Sequence, residues 1–501
     1  MRALISVYDK ENIVEFAREL VALDWEIIST GGTFKTLKEN NIPVKEVEEV
    51  TGQREILSGR VKTLHPKIHG GILFRRDNKD DKKTIEEEQI KPIDMIVNNL
   101  YPFENCLREG KDHETLIENI DIGGPSMIRA AAKNYKDVLI VTEPSDYKSI
   151  IEALKENKID MTFRETLARK AFSLTAHYDS VICNYFQEKS EEKFPKYINK
   201  SYTFSNKLRY GENSHQEAAY YQGKIYAPYK KLHGKEISYN NLYDMFAAVK
   251  AAREFDDITV VAVKHTNPCG IGSGKSVKEA FIKARDCDDE SIFGGIIAIN
   301  HIVDKEAAEL LHEIFLEIVV AQGFTSEALE ILEKKKNIRL IELKDFNNFE
   351  LDTSFKEVLN GIIVQDYDDI LLDEDKLQIV SKNKPTEKEM EDLKFAFKCV
   401  KYTASNSIVI AKDGASLGIG QGQTKRSWAV EEAIERAGEK IKGAVCASDG
   451  FFFRDTMELL NKAGVRAIIQ PGGSVKDKEV IEYADEHEMA IIFTGIRHFR
   501  H

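Results

Sequence analysis

The sequence predicts an α/β protein with more than one domain. Short apolar runs alternate with segments whose apolar residues recur at helical spacing, and this alternation continues along nearly all of the 501 residues. Strands that alternate with helices are typical of sheets covered by helices. A chain of this length also exceeds the roughly 100 to 200 residues of an ordinary domain, so we expect several hydrophobic cores.

Residues 1–188 are predicted to form a doubly wound parallel sheet. The run ALISV is followed by Asp9, which is suited to cap a helix, and then by apolar residues at helical spacing from Ile13 to Val21. The runs WEIIST, IDMIVNNL and DVLIVTEP supply further strands, with helical patterns between them. A charged insert at 77–88 is predicted to be a solvated loop that runs into a helix.

Residues 189–207 are predicted to be a linker, because they contain few aliphatic residues and several Lys, Glu and Ser. The remaining residues, 208–501, are predicted to form two α/β subdomains. Their apolar strands are ITVVAV, GGIIAI, EIVVAQ, SIVIA, AVCAS, RAIIQ and MAIIF. DITVVAVKHTNPCG and KYTASNSIVIAKDG each place polar residues next to an apolar run, which is a weak hint of duplication.

The composition excludes several classes of protein. Acidic residues outnumber basic ones by 84 to 71, and the net charge of −13 opposes nonspecific binding to nucleic acid or anionic lipid. The six cysteines include no C-x-x-C pair, so neither a disulfide framework nor a zinc ribbon is indicated. No signal-peptide segment and no run of roughly 18 apolar residues is present. We therefore expect a soluble, cytoplasmic protein.

Two glycine-bearing stretches are candidate anion sites. STGGT leaves a strand and opens a helix, so the amides of Gly31, Gly32 and Thr33 are placed to bind an anion, although such pairs are often only turns. In IDIGGPSMIRAAAKN, a second helix starts after Asp121 and places Lys133 one turn beyond Arg129. A capping aspartate followed by two solvated cations is the alternative interpretation.

A third stretch, RVKTLHPKIHGGIL at 60–73, crowds lysines, an arginine and two histidines into a segment that contains Pro and Gly. We expect a loop rather than a regular helix, and loops of this kind are disproportionately functional. A basic surface loop is the alternative. Tyr101, in NNLYPF, follows the strand IDMIV, at the edge where open α/β sheets collect ligand groups.

The stretch VKHTNPCG ends a buried strand with Lys264 and His265 side by side, and a turn through 267–270 is predicted to follow. Both side chains are poor core residues and good candidates for acid–base chemistry. A zinc deaminase is excluded, because Asn267 stands where H-x-E requires glutamate and Cys269 has no partner cysteine.

Two further stretches carry polar residues that packing does not explain. LRYGENSHQ gathers Arg209, Tyr210, Asn213 and His215 without amphipathic periodicity. Asn406 lies in KYTASNS, beside the apolar run SIVIA.

Taken together, these stretches resemble the PurH family of bifunctional purine biosynthesis enzymes, which join AICAR transformylase to IMP cyclohydrolase. The resemblance extends from the first strand to the terminal RHFRH and follows the order of the motifs. The motifs are ISVYDK, STGGT, GRVKTLHP, NLYPF, IDIGGPSMIRAAAKN, LRYGENSHQ, VKHTNPCG, KYTASNS, SDGFFFRD and QPGGS.

The resemblance implies a methylglyoxal-synthase-like cyclohydrolase domain, followed by a transformylase region of two cytidine-deaminase-like subdomains without zinc. It implies 10-formyltetrahydrofolate as a co-substrate, with no metal or tightly bound cofactor. The ligands it implies are AICAR, formyl-AICAR, IMP and folate, and the assembly it implies is a homodimer with transformylase sites at the interface.

For formyl transfer, the resemblance implies that His265 takes the proton from the AICAR amine. Lys264 would stabilise the oxyanion or protonate the departing folate nitrogen, and Asn406 would orient the formyl group. The positive charge of the lysine would also keep the neighbouring histidine neutral. The substrate-binding residues on this side are Arg209, Tyr210, His215, Phe453 and Arg497.

For ring closure, the resemblance implies that Lys62 lies beside the developing oxyanion and that Asp121 polarises the carboxamide N–H. Tyr101 and Lys133 would assist proton transfer. Tyr8 stands where many relatives have serine, which puts a phosphate contact from that side chain in doubt. The substrate-binding residues on this side are Ser6, Lys10, Thr30, Gly31, Gly32, Thr33, Arg60, Thr63, Gly123 and Gly124.

Two other functions compete with this interpretation. The N-terminal domain could bind a phosphorylated effector and regulate a transformylase without performing ring closure; Lys62, Tyr101 and Asp121 argue against this. The chain could instead be a nucleotide-binding or scaffolding protein with inert sites, and the intact Lys264, His265 and Asn406 argue against that.

Overall fold

The computed structural model describes residues 1–223, 229–347, 353–370 and 372–501. The chain divides into two compact units, Met1–Thr203 and Phe204–His501. The division falls inside the segment 189–207 that the sequence predicts to be a linker. Among the described residues, no helix combines the length and the hydropathy that a membrane span needs.

The N-terminal unit contains one parallel sheet with the strand order β3-β2-β1-β4-β5. Its strands are β1 Arg2–Ser6, β2 Glu26–Ser29, β3 Lys45–Glu46, β4 Met95–Asn98 and β5 Leu139–Val141. Its helices are α1 Ile13–Ala22, α2 Gly31–Glu39, α3 Val47–Thr51, α4 Pro66–Leu73, α5 Lys79–Glu87, α6 Phe103–Arg108, α7 His113–Glu118, α8 Gly123–Lys133, α9 Tyr147–Lys155 and α10 Met161–Gln187.

The apolar runs of this unit become buried strands because helices cover the sheet. Leu4, Ile28 and Ile96 are fully buried, as expected for parallel strands. Helices α1, α2 and α9 pack together, and so do α4, α8 and α10. Successive strands are added to one side of β1 as far as β3 and then to the other side from β4, so the strand order reverses between β1 and β4, where open α/β sheets leave a crevice for ligands.

Two local predictions in this unit are wrong. Asp9 does not cap α1; Asn12 precedes the helix in a left-handed conformation, and the Asp9 carboxylate accepts the Glu11 amide. The segment 60–73 is not wholly a loop, since α4 begins at Pro66 with the His65 ring nitrogen accepting the Lys67 amide. Proline is tolerated in the first turn of a helix because its missing N–H has no intrahelical partner there.

The second unit is built on a mixed sheet with the order β16-β21-β20-β19-β17-β18-β10-β9-β11-β12-β13-β8. Two separate hairpins, β6–β7 and β14–β15, accompany it. The strands are β6 Thr203–Leu208, β7 Ala218–Gln222, β8 Lys230–His233, β9 Ile258–Lys264, β10 Asn267–Gly274, β11 Ile296–Val303, β12 Ile318–Phe324, β13 Arg339–Glu342, β14 Thr353–Val358, β15 Gly361–Asp366, β16 Gln378–Ile379, β17 Ile408–Lys412, β18 Ala415–Gly420, β19 Val445–Ser448, β20 Ala467–Gln470 and β21 Ala490–Phe493. The helices are α11 Tyr239–Ala252, α12 Val277–Arg285, α13 Lys305–Glu313, α14 Ser326–Leu332, α15 Glu387–Val400, α16 Arg426–Ala437, α17 Arg454–Ala463 and α18 Asp477–Glu486.

The large sheet consists of two copies of one α/β arrangement, so the hint of duplication is confirmed. In the first copy, β9 lies antiparallel to β10 and β11, and β11, β12 and β13 are parallel. In the second copy, β17, β18, β19, β20 and β21 repeat that pattern. A short antiparallel strand closes each outer edge, β8 on β13 and β16 on β21.

The two copies join where β10 meets β18. Gly272 pairs with Ala415, and the Ser416 hydroxyl accepts the Ile271 amide at 2.8 Å and donates to its carbonyl at 3.0 Å. Glycine is required beside this seam, since a Cβ at Gly420 would lie 1.9 Å from the Ala429 carbonyl oxygen of α16. The strands and helices therefore approach too closely for any side chain at that position.

Strand β9 shows that helices bury both faces of the large sheet. Val261 and Val263 join a core shared with α11 and α15, whereas Val260 and Ala262 pack against α12 and its neighbours. Because consecutive side chains of a strand point to opposite faces, a strand with helices on both sides is apolar throughout.

Candidate active sites

A cavity of about 600 Å³ lies at the carboxyl edge of the N-terminal sheet. Ser6 and Asn98 end β1 and β4, and Thr30 follows β2, so the strands deliver three of its lining residues. This is the crevice at the switch between β1 and β4. The predicted residues that line it are Ser6, Lys10, Thr30, Gly31, Gly32, Thr33, Arg60, Lys62, Thr63, Tyr101, Asp121, Gly123 and Gly124.

One end of the cavity is suited to an anion. Thr30 precedes α2 without a side-chain cap, so the first amides of this helix have no capping partner from it. Two lysines approach this helix start: an ideal Cβ on Gly31 would lie 3.3 Å from the Lys62 ammonium, and one on Gly32 would lie 3.7 Å from that of Lys10. Free amides, a helix N-terminus and two ammonium groups together favour a phosphate or carboxylate.

Asp121 also lines the cavity, and its carboxylate accepts a backbone hydrogen bond. Its Oδ1 accepts the Gly124 amide at 2.8 Å, and its own amide donates to the Tyr178 hydroxyl at 2.8 Å. Burial raises the pKa of the Asp121 carboxyl, and hydrogen bonds from the backbone amides of Gly124 and Tyr101 oppose that rise. A desolvated carboxylate at a cavity wall is a strong acceptor for a substrate N–H.

Lys62 is partly buried and has one acidic neighbour. Its side chain is 25% exposed and lies 3.0 Å from the Glu55 carboxylate. Arg60 forms an ion pair with Glu118 in the same wall. The cavity therefore contains an ammonium group whose charge is only partly balanced, next to the α2 amides.

Tyr101 is 44% exposed and lies edge-on to Tyr8, with ring centroids 6.0 Å apart. The amide oxygen of Asn99 accepts the Tyr8 amide at 2.6 Å and thereby fixes that loop. Asn98, which was not predicted as a site residue, is 2% exposed and its Oδ1 has no hydrogen-bond partner in the described structure. A buried, unpartnered oxygen at a cavity wall marks a ligand contact, and the polar pair in NNLYPF was the available sequence signal.

Lys133 is not brought into this cavity. It lines a neighbouring cavity of about 680 Å³ with Arg129, Ser126, His65 and His69. Leu64 contributes to both cavities. The α-helical spacing of Arg129 and Lys133 places both on the face of α8 that turns to α4 rather than to the β1–β4 crevice.

In the second unit, Lys264 and His265 stand at a hairpin tip. The turn is not at 267–270 as predicted: Lys264 pairs with Asn267, and His265 and Thr266 form the two-residue connection between β9 and β10. Pro268 is inside β10, where the pairing register shifts before Gly270. Proline is accepted in a strand at such an irregularity, so Asn, Pro and Gly here did not mark the turn.

The tip is strained and is held from several directions. His265 and Thr266 have φ values of 53° and 63°, which residues other than glycine rarely adopt. The Thr266 amide donates to the Asp244 carboxylate at 2.7 Å, and the Lys264 ammonium donates to the Phe293 carbonyl at 2.9 Å. Unfavourable backbone conformations of this kind concentrate at functional sites.

Asn406 is fixed at both ends of its amide. Its Oδ1 accepts from the Arg426 guanidinium at 2.7 Å, and its Nδ2 donates to the Gln423 carbonyl at 2.8 Å. Arg426 in turn donates to the fully buried Asp449 at 2.6 Å. The amide is therefore held in one orientation by a buried ion pair.

The C-terminal segment links this amide to the hairpin tip. The Arg500 guanidinium donates to the Thr266 carbonyl at 3.3 Å and also to the Tyr402 carbonyl. The Arg500 amide donates to the Ser405 hydroxyl at 3.0 Å. Arg500 therefore bonds to Thr266 of the hairpin tip and to Ser405, the residue before Asn406, although these two lie far apart in sequence.

The other residues predicted for this site are more open. Arg209 donates to the Tyr210 hydroxyl at 2.6 Å and stacks over that ring, and His215 is exposed in the same loop. Phe453 precedes α17 and is 43% exposed, and Arg497 lies over the Phe499 ring. Within the described part of the chain, none of these residues is hydrogen-bonded to Lys264 or Asn406.

No group of three or more His, Cys, Asp or Glu side chains in the described residues is arranged to hold a metal ion.

Comparison with known proteins identifies the family. The model of the AICARFT/IMPCHase bienzyme matches residues 131–436, and that of the MGS-like domain matches residues 12–126. Proteins described as bifunctional purine biosynthesis protein PurH from a Thermoanaerobacter strain, Caldicellulosiruptor saccharolyticus and Clostridium botulinum are 53%, 51% and 51% identical to this chain. Each alignment covers 100% of this chain and 99% of the relative.

A solved structure described as the crystal structure of ForH is 32% identical, with a TM-score of 0.34, and the match covers 38% of this chain and 100% of that one. The MGS-like model lies within the first unit, and the bienzyme model runs from that unit into the second. This chain therefore belongs to the AICARFT/IMPCHase bienzyme family, the bifunctional formyltransferases and IMP cyclohydrolases of purine biosynthesis.

Proposed function

We propose that the two reactions are divided between the two units, with ring closure in the cavity at the N-terminal sheet edge and formyl transfer at the His265 hairpin tip. The observation that carries the first assignment is the gathering of Lys62, Tyr101 and Asp121 around one cavity beside the α2 N-terminus. A domain that only binds a phosphorylated effector would need the anion site but not the desolvated carboxylate in the same cavity.

In the cyclohydrolase site, the phosphate of formyl-AICAR binds the α2 amides, Lys10 and Ser6. The substrate carboxamide then lies near Asp121, which accepts its N–H and directs the nitrogen to the formyl carbon. Lys62 stabilises the oxyanion that forms on that carbon. Closure is intramolecular, so holding the two reacting groups together supplies much of the rate.

Proton transfer completes the loss of water from the closed ring. Tyr101 is the acid–base candidate inside the cavity, with a hydroxyl on an exposed ring. We assign Lys133 an assisting role from the neighbouring cavity, which makes it the weaker candidate of the two. Arg60, Thr63, Gly123 and Gly124 complete the substrate-binding wall.

At the hairpin tip, the exocyclic amine of AICAR attacks the formyl carbon of 10-formyltetrahydrofolate. A nitrogen–carbon bond forms, the bond from that carbon to folate N10 breaks, and one proton passes from the amine to N10. His265 accepts the amine proton, Lys264 stabilises the oxyanion or protonates N10, and Asn406 orients the formyl group. Arg209, Tyr210, His215, Phe453 and Arg497 bind the nucleotide and the folate.

The folate is consumed as a co-substrate, and we propose neither a metal nor a tightly bound cofactor. We further propose a cytoplasmic homodimer in which a second copy completes the formyl-transfer site. Exposed apolar side chains on the β14–β15 hairpin support an assembly, because large exposed apolar groups favour contact with another protein. These are Val358, Leu359, Ile362 and Ile363.

The test supplies AICAR and 10-formyltetrahydrofolate and follows folate release, formyl-AICAR and IMP by chromatography. Lys264→Ala and His265→Ala should abolish folate release but leave conversion of added formyl-AICAR nearly intact, because the two proposed sites lie in different compact units. Loss of both reactions in a folded His265→Ala protein would contradict the division between units.

A further inference from the structure

The duplicated sheet contains the hairpin tip twice. His265 and Thr266 connect β9 to β10, and Asp413 and Gly414 connect β17 to β18 at the equivalent place. All four residues have positive φ, with values of 53°, 63°, 54° and 67°. Both tips are therefore two-residue connections of the type that requires positive φ at each central position.

The two tips differ in how well their residues suit this conformation. Asp-Gly is among the most favourable pairs for such a turn, whereas the β-branched threonine of the His-Thr pair is unfavourable at the second position. The second copy thus retains an ordinary turn. The first copy departs from it where the chemistry is proposed to occur.

Each tip is held by an aspartate in the same place of the fold. Asp244 and Asp392 are the sixth residues of α11 and α15, the helices that precede the two hairpins. Asp392 accepts both tip amides, from Asp413 at 3.0 Å and from Gly414 at 2.9 Å.

Asp244 makes the corresponding bonds in the first copy. It accepts the Thr266 amide at 2.7 Å and is also hydrogen-bonded by the His265 amide. The lysines that precede the tips are equivalent as well: Lys264 donates to the Phe293 carbonyl, and Lys412 donates to the Lys442 carbonyl at 3.0 Å.

We propose that Asp244 is a positioning residue for formyl transfer: its carboxylate holds His265 and Thr266 in the strained turn and so keeps His265 and Lys264 in their reactive arrangement. This inference rests on the proposed assignment of formyl transfer to the hairpin tip. Asp392 makes the same bonds to a turn that carries no proposed chemistry, so it contributes to stability alone.

The physical reason is that the pair His265 and Thr266 does not by itself favour the positive φ values that this turn needs. Without Asp244, the amides of His265 and Thr266 lose their acceptor, and both residues relax toward negative φ. The remaining hydrogen bonds to the tip reach its carbonyls and not its amides: Arg500 donates to the Thr266 carbonyl at 3.3 Å, and the Asn267 side chain donates to the His265 carbonyl at 2.9 Å. A displacement of about 1 Å at a reacting group costs roughly a hundredfold in rate.

The experiment compares Asp244→Ala, Asp244→Asn and Asp392→Ala in the full chain. Asp244→Ala should lower kcat for formyl transfer about a hundredfold while KM for AICAR and folate changes less than about threefold, since positioning acts on the reacting groups. Asp244→Asn keeps one acceptor oxygen and should lie between wild type and Asp244→Ala. Asp392→Ala should lower the unfolding temperature to a similar extent but leave kcat within about twofold of wild type.

A second-site variant tests the cause of the loss. Glycine adopts positive φ without strain, so Thr266→Gly should let the tip keep its conformation without Asp244. Added to Asp244→Ala, it should recover at least tenfold of the lost kcat, because the relief of backbone strain at one residue corresponds to about that factor. If Asp244→Ala does not fold, the Asn variant with and without Thr266→Gly carries the same test. Conversion of added formyl-AICAR to IMP, in the other unit, confirms that each protein is active.

The outcomes separate this inference from the assignment beneath it. Retention of formyl transfer in His265→Ala would overturn both. Loss of formyl transfer in His265→Ala with an unchanged kcat in Asp244→Ala would overturn the positioning role alone. An equal fall of kcat in Asp244→Ala and Asp392→Ala would show that both aspartates act only through stability.

Discussion

The replacement of Lys62 by alanine tests the cyclohydrolase site most directly. The lysine side chain is 25% exposed and its Glu55 partner is 56% exposed, so the ion pair between them is screened by solvent. Exposed pairs contribute about 0 to 1 kcal/mol to the free energy of unfolding, and Lys62→Ala should therefore leave the fold almost unchanged. Any large effect must then arise in the reaction.

The expected loss of activity follows from the role of the ammonium group. Removing one donor to a developing oxyanion costs about 3 to 4 kcal/mol, or a hundred- to thousandfold in turnover. Ring closure should fall by this factor while formyl transfer in the other unit continues. With AICAR and formylfolate supplied together, formyl-AICAR should accumulate.

The assay is the chromatographic ratio of formyl-AICAR to IMP over time, for wild type, Lys62→Ala and the control Lys67→Ala. Lys67 belongs to the same basic stretch but does not line the cavity in the described structure. A Lys62→Ala protein that closes the ring at the wild-type rate would refute the oxyanion role. An equal loss in Lys67→Ala would point instead to the charge of the whole stretch.

Four further substitutions have defined outcomes, and the last is a control for the third. Gly31→Ala places a side chain at φ of 55°, so it should destabilise the fold by about 1 to 2 kcal/mol and weaken phosphate binding, seen as a raised KM for formyl-AICAR. Burial raises the pKa of Asp121 in the native state above the 3.8 expected for the unfolded chain, so the native state loses stability as pH rises from the unfolded-state pKa to the native-state pKa. Asp121→Asn should therefore unfold at a higher temperature than wild type at neutral pH and lose that advantage below pH 3.8. The same substitution should abolish ring closure. Arg426→Met leaves the buried Asp449 unpaired and should lower the free energy of unfolding of the second unit by about 3 to 5 kcal/mol. In the same helix, Arg436 is more exposed and pairs with Asp288 and Glu432, so Arg436→Met should cost only about 0 to 1 kcal/mol in the same denaturant titration. Equal costs for the two substitutions would contradict the argument from burial.

The sequence by itself determined the positions of the strands and their alternation with helices, because burial of one or both faces of an element leaves a periodic pattern of apolar residues. SIVIA, AVCAS, RAIIQ and MAIIF all became strands of the large sheet. It also indicated the candidate anion site at the start of α2, since glycines at a strand-to-helix turn leave helix amides accessible to a ligand. The predicted residues of that site, with the exception of Lys133, line one cavity.

Only the tertiary structure decided where the chain turns at VKHTNPCG and what holds it there. Asn267, Pro268 and Gly270 are strong local turn formers, but pairing with Lys264 and burial against α12 extend β10 through them. The turn then falls on His265 and Thr266, which have no preference for it. Asp244 and Arg500 come from distant parts of the chain, and contacts that depend on such separations leave no local pattern that a sequence could display.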